Sequence, residues 1–411
     1  MKTIQTGKGT IPLMTLIAIW SISLVVNLPG LAISPMLGEL HNIFPSASEL
    51  EVQLLTILPN LLIIPFVLIS GHLSVSKSKM MIVVVSLIIY LSSGLLYLFA
   101  STMTELIIVS CLLGVGCGLL IPLAAGLIAD TFTGKYRLKQ LGIKSGIANI
   151  SLVMATFIVG WLGGHNWHLP FLVYLLPVIP LLLTAYLRHA TTKTSIVENS
   201  ATPIIPNTSL LKEAESRFHI GRILGIMGMY FFVSYCVLVV SFYLPFLMQT
   251  EKMSDSALGT VTSLFFLAVF LPGFFLTTLV RVFRQSTLPI AAAMLAVGLI
   301  MIIITHSVWI IGAGVFLMGF GYGIFQPVIY DKATQTIVSE RDATLALSFV
   351  LAINYLAITL SPFIVDFFSS FVKEPSAQFP FLLNFVMAIL FIVIIIIYRR
   401  SFVFSIDKNY L

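Results

Sequence analysis

One stretch of this chain occurs twice, and that repetition limits its possible folds more than any other feature. The first copy reads Gly114-x-Gly116-x-Gly118-x-x-x-Pro122 and leads to Asp130; the second reads Gly319-x-Gly321-x-Gly323-x-x-x-Pro327 and leads to Asp331. Glycines and prolines recur at an offset of 205 (319 − 114 and 327 − 122), about half of the 411 residues. Asn149 and Asn354 keep the same offset (354 − 149 = 205). A single glycine-rich run could recur by chance, but one that carries its proline and a downstream asparagine points to duplication of half a fold.

Composition names the solvent. Hydrophobic residues make up 58% of the chain and charged residues 9%, with mean hydropathy +1.06. Water-soluble domains carry about 25% charged residues. Repeated apolar runs of membrane length therefore predict a polytopic helical membrane protein. A duplicated half in such a protein predicts two bundles around a central passage. Cys111, Cys117 and Cys236 all fall inside apolar runs without a CxxC pair. They read as small buried hydrophobes, with neither a disulfide framework nor a metal site expected. The first apolar run, from Ile11 to Leu31, is too long for a signal h-region and reads as a retained helix.

The runs predict twelve helices, at about 11–34, 52–73, 80–100, 105–129, 142–163, 169–187, 220–248, 257–280, 286–305, 308–330, 343–366 and 380–398. The polar stretch Arg188 to His219 separates six from six. This divides the chain into an N-terminal bundle (1–187), a linker (188–219) and a C-terminal bundle (220–411). With both termini and the linker in the cytoplasm, 20 of the 22 lysines and arginines lie on that side; Lys252 and Lys373 lie outside. The bias matches the positive-inside rule and sets the orientation; the cytoplasmic (inner) membrane is the expected location. Net charge +6 is thereby explained by topology, and no nucleic-acid partner is expected.

Several motifs sharpen the fold. Twelve helices halved by a polar linker, with the fourth and tenth duplicated, resemble the major facilitator superfamily. Gly71-His72-Leu73-Ser74 stands where that family has its G-x-L-(A/S)-D-R-x-G-R loop. Here Val75, Ser76 and Ser78 replace the Asp, Arg and second Gly, and Lys79 stays basic. Ser110 occupies the place of an arginine that many members carry on helix four. Gly146, Gly163-Gly164, Trp167-x-x-Pro170-Phe171 and Asn27-Leu28-Pro29 are similar to segments of drug:proton antiporters. Val159-Gly160 replaces their Gly-Pro pair, and Val25 stands where many of them carry an aspartate. The resemblance implies an all-α fold of two six-helix bundles related by a pseudo-two-fold axis, working by alternating access.

Candidate functional residues follow from depth. Polar side chains in mid-membrane are functional candidates by default. Asn27, Asn149, Tyr235, Gln326, Asn354 and Tyr355 are the substrate-contact candidates; helix–helix hydrogen bonding is the competing role for each. Asn384 reads as a helix–helix hydrogen bond. Pro122 and Pro327 each remove a backbone hydrogen bond and are candidate kinks, with tight glycine packing as the alternative for the whole motif. Asp130 and Asp331 end their helices, where the dipole disfavours a carboxylate, and each precedes a basic loop that includes Arg137 or Arg341. An inter-helix ion-pair latch is expected there; proton carriage and solvated charge are the alternatives. Glu39, His41, Glu49 and Glu51 read as a solvated loop.

No Asp, Glu, Lys, Arg or His is expected near the middle of a helix. The passage would then suit a neutral or amphipathic cargo, with methionines and aromatics such as Met229, Tyr230, Phe320 and Tyr322 offering adaptable apolar walls. The leading reading is a secondary transporter that exports amphipathic or drug-like compounds, with protons as the candidate coupling ion. An uptake or facilitated-diffusion carrier for a small metabolite is the alternative, favoured by the missing helix-one carboxylate. Expected partners are a small-molecule substrate and the lipid bilayer, and the chain is read as a monomer. No cofactor is expected, and no HExxH, GxSxG or GxxxxGK[ST] motif marks an enzyme.

Overall fold

A computed structural model of the chain describes residues 3–30, 49–76, 78–163, 166–191, 218–253, 255–373 and 376–406, with scattered positions between 31 and 48. Most of the expected linker, together with Glu39 and His41, lies outside the described residues. Helices dominate: α1 (Leu13–Ser23), α2 (Glu49–Ser76), α3 (Lys79–Tyr97), α4 (Met103–Thr131), α5 (Gly134–Gly163), α6 (Val178–Thr191), α7 (Ile220–Thr250), α8 (Asp255–Phe283), α9 (Thr287–Ile303), α10 (Val308–Ala333), α11 (Ala343–Ser369) and α12 (Phe379–Ile397). Among the described residues, ten stretches are long and apolar enough to cross a membrane. One of these, Gly259–Ile303, runs through both α8 and α9, and α1 falls short at 11 residues. The protein is a multi-pass membrane protein. Large apolar side chains cover its outside, among them Trp309 at 85% exposure and Phe157 at 73%.

Four local departures from the sequence expectation have physical causes. Helix one does not run to residue 34: turns take over after Ser23, because Pro29 cannot donate a ladder bond and Gly30 sits at φ +75°. Ahead of it, Thr3–Gln5 and Thr10–Pro12 pair as an antiparallel hairpin, β1 and β2, turned by Gly7 at φ +88°. The Thr133 amide donates to the Thr6 carbonyl at 3.0 Å, which fixes the hairpin to the start of α5. Helix five begins at Gly134, eight residues before the apolar run does (142 − 134), since its first turns are polar. Helix six is split into a 3-10 segment, Leu169–Leu175, and α6; Pro177 lies in the gap.

The repeated glycines act as packing devices. α4 lies between α2 and α3, and α10 lies between α8 and α9. A Cβ on Gly114 would come 2.7 Å from the Pro59 carbonyl of α2, and one on Gly116 would come 2.8 Å from the Tyr90 amide of α3. In the second half a Cβ on Gly319 would come 2.6 Å from the Phe265 carbonyl of α8, and one on Gly321 would come 2.6 Å from the Ala291 carbonyl of α9. The same contacts built twice are the duplication seen in three dimensions. In lipid, where neighbouring helices gain no hydrophobic driving force, such close backbone approach is what makes helices associate. Pro122 and Pro327 sit buried within continuous helices four residues past each triplet (122 − 118 and 327 − 323).

The halves meet along α5–α8 and α2–α11. Gly142 and Gly273 face one another so closely that a Cβ on either would lie 2.6 Å or 2.4 Å from the other's carbonyl oxygen. Gly71 lies against Ser348, and Gly126 against Thr344. All these residues sit toward one end of the bundle, the end that also carries the β-hairpin, the α4–α5 and α10–α11 junctions and the Phe402 segment. We call this the basic end.

Candidate functional site

The clearest structural event between the halves is an ion pair. Arg137, in the first turn of α5, places Nε 2.6 Å from Oδ1 of Asp331, near the end of α10. The Asp331 side chain is 3% exposed, and Gln335 Nε2 donates to its other oxygen at 2.8 Å. Asp130 finds a different kind of partner. Lys79, at the start of α3, reaches both of its oxygens at 3.0 and 2.7 Å, so this pair ties α3 to α4 within one half. The two aspartates are not strict counterparts: they lie 201 apart rather than 205 (331 − 130), Asp331 standing one helical turn closer to its proline, and the position that matches Asp130 is Gln335. Asp130 closes one half upon itself, whereas Asp331 joins the halves. Arg341 is exposed at the α10–α11 junction, and the arginine that holds Asp331 is Arg137 of the opposite half.

Further toward the membrane interior, a polar chain crosses the same interface. Ser145 of α5 donates to the Gln326 carbonyl oxygen of α10. Gln326 Nε2 donates to the Tyr230 hydroxyl of α7 at 3.4 Å, and Tyr230 and Tyr330 share a hydrogen bond of 2.9 Å. Ser234 of α7 donates to Asn354 Oδ1 of α11 at 2.7 Å. Gln326, Asn354, Tyr355 and Asn27 are half-buried, while Asn149 is buried and donates to the Ser145 carbonyl one turn below it, at 2.8 Å. Gln326, Asn354 and Asn149 thus belong to or support this polar group, and Tyr355 stands near Tyr322 and Tyr330. Tyr235 does not join the chain: it is buried and turned toward Asn384 of α12. Asn384 donates to the Pro380 carbonyl at 2.7 Å within its own helix. Tyr235→Phe is therefore expected to leave transport unchanged. Gln326→Leu removes the link between α5 and α7 and should cost the closed arrangement about 1–3 kcal/mol. A flux assay on both variants checks the contrast, and equal losses would place Tyr235 back in the site.

Sequence reasoning misplaced one group, Lys144, by counting it with the basic residues of the cytoplasmic side. Lys144 is 4% exposed and lies ten residues into α5 (144 − 134), about 15 Å along the axis from its start. Its ammonium stands 5.1 Å from the centre of the Tyr330 ring, on the opposite half. The expectation of a passage without ionisable side chains does not hold. The reason is the early start of α5: counted from residue 142 Lys144 lies at a helix end, and counted from Gly134 it lies well inside. Two further aromatics of the same helices, Phe232 of α7 and Phe325 of α10, pack on Phe391 of α12 within one half.

Comparison with known proteins settles the kinship. The sequence model of the Major Facilitator Superfamily matches residues 15–331 and 226–403, most of the chain. The chain belongs to the major facilitator superfamily. Over 161 residues it is 32% identical to the multidrug transporter protein MdtP of Bacillus subtilis (strain 168), a match covering 39% of this chain and 29% of that protein. Among solved structures, the human organic anion transporter MFSD10 (TETRAN) superposes with TM-score 0.69 at 13% identity, over 93% of this chain and 99% of that one. The superfamily's proton:xylose symporter XylE, bound to 6-bromo-6-deoxy-D-glucose, superposes with TM-score 0.70 at 15% identity, over 94% and 95%. At such identities these structures speak for the fold alone, the twelve-helix fold of the superfamily, with which the duplicated glycines agree. Members of the superfamily are transporters of small molecules, not enzymes, and so is this chain.

Proposed function

We propose that this transporter exports amphipathic small molecules across the cytoplasmic membrane, with the basic end facing the cytoplasm and both termini on that side. Residues 1–187 and 220–411 move as two halves joined by residues 188–219, and the protein works as a monomer. The observation that carries the mechanism is the Arg137–Asp331 pair, which spans the halves at 2.6 Å beside the Ser145–Gln326 bond. When these contacts form, the basic end is shut and cargo can leave only from the opposite side. When they part, the space between α5, α7, α10 and α11 opens to the cytoplasm. Asn27, Asn149, Gln326, Asn354 and Tyr355 are the groups that would orient cargo in that space, and Pro122 and Pro327 would let α4 and α10 bend as it opens.

Export is favoured over uptake by the 32% identity to a multidrug transporter, and the motif similarities to drug:proton antiporters point the same way. Protons are the proposed coupling ion. In everted membrane vesicles, an imposed proton gradient should accelerate uptake of a fluorescent amphipathic dye, and an uncoupler should abolish the gain. Gradient-independent flux, equal in both directions, would replace export by facilitated diffusion.

A further inference from the structure

We propose that Lys144 is the countercharge for an anionic cargo, so that the exported amphiphile is an organic acid. This deepens the transport reading above and rests on it. A lysine at this position is costly. A buried ammonium loses its hydration, and proteins tolerate it when a partner or a function compensates. Lys144 is too deep and too well covered to reach water by extending along its own helix.

No carboxylate among the described residues compensates it. The aspartates that follow the two glycine triplets are committed elsewhere, Asp331 to Arg137 and Gln335, Asp130 to Lys79. What Lys144 does meet is the face of the Tyr330 ring, and the other titratable group that acts on it is the buried Cys117 thiol of α4. A cation–π contact recovers only part of what an ion pair would. The space between the halves therefore carries one positive charge that nothing in the described protein neutralises.

Ser145, next in the chain and on the same half, adds a donor: its hydroxyl is bonded to Gln326 across the halves in the closed arrangement and is freed when they part, so that it can meet a second oxygen of a carboxylate or sulfonate. Tyr230 and Tyr330, packed edge-to-face on the other half with ring centres 5.8 Å apart, move away from Lys144 with that half.

The arrangement also gives the site a direction. Lys144 belongs to α5 and Tyr330 to α10, so they lie on opposite halves and separate when the basic end opens. In the open arrangement the ammonium is uncovered and takes the anion. On closure the Tyr330 ring returns over Lys144, and the anion loses its countercharge while the opposite side is open. One residue pair thus makes affinity high on the basic side and low on the other, which is what an exporter needs.

The test uses the full-length transporter in lipid nanodiscs and three arylalkyl probes of similar size: naproxen, its methyl ester and a primary amine. Equilibrium binding and dye-competition flux are both read. The acid should bind at least roughly tenfold more tightly than the ester, as expected for a hydrogen-bonded charge. Lys144→Gln should abolish that advantage and Lys144→Arg should retain it. An ester that binds as well as the acid in the unmodified protein would overturn the inference while leaving amphiphile export standing. That comparison needs no variant, so a misfolded Lys144→Gln cannot blur it. An acid preference that survives Lys144→Gln would move the anion site elsewhere and also overturn it. If none of the three probes binds, the amphipathic-cargo reading falls as well.

Discussion

Replacing Asp331 by asparagine should open the basic end of the transporter. The substitution leaves Arg137 facing a neutral amide across the halves, and breaking one side of a buried ion pair costs about 3–5 kcal/mol. That cost falls only on the arrangement in which the halves touch, because Arg137 gains water once they part. Even 3 kcal/mol shifts a two-state balance by roughly a hundredfold. Spin labels on exposed Lys139 of α5 and exposed Val338 beyond α10 report the opening directly. Their separation should lengthen in Asp331→Asn and in Arg137→Gln. The swap Arg137→Asp with Asp331→Arg should shorten it again, because the pair is re-formed with its ends exchanged. Unchanged distances in both single variants would show that the pair is a bystander and that α5–α8 and α2–α11 packing alone holds this end shut. Lys79→Gln serves as the contrast. Its partner Asp130 is in the same half, so the variant should loosen α3 against α4 without moving the labels.

The second large effect concerns the repeated glycines. Gly116→Ala and Gly321→Ala should each destabilise the protein, because the added methyl meets backbone atoms, the Tyr90 amide at 2.8 Å and the Ala291 carbonyl at 2.6 Å. A flexible side chain could step aside; a helix backbone cannot do so without moving the helix. Overpacking of this kind costs about 1–3 kcal/mol for a small addition, and leucine at either site should leave no folded transporter. Gly228→Ala is the control. It lies in α7 with nothing within 4 Å of its would-be Cβ, so alanine should be neutral or gain up to about 1 kcal/mol in helix propensity. Thermal unfolding in detergent, followed by size-exclusion chromatography, measures all of these. Stable Gly116→Ala and Gly321→Ala proteins would mean that the triplets serve bending at Pro122 and Pro327 more than packing.

Both effects mark where the sequence was readable. The membrane character, the number of helices and the duplicated half follow from composition, run length and one offset of 205, all of which are local or periodic properties. The two aspartates were legible as charges in need of partners. Their different partners were not, because Lys79 and Arg137 are both basic, both near a helix start, and indistinguishable until the chain is folded. Tyr235 and Asn354 likewise look alike as polar groups in apolar helices. Which of them joins the polar group depends on the rotation of α7 and α11 about their axes, and helices that are apolar all round give no stripe from which to read it.

By itself the sequence determined that this chain lies in a bilayer and that it consists of two related halves, since bilayer thickness, backbone satisfaction and the repeat allow little else; that the glycines of α4 and α10 seat neighbouring backbones was one of two open readings until the helices were in place. Only the tertiary structure decided that Arg137 reaches across to Asp331, and that α5 starts at Gly134 and carries Lys144 inside. The reason is that both depend on where a helix begins and which way it is turned. Neither quantity is written in the apolar runs; both are set when the halves close on each other.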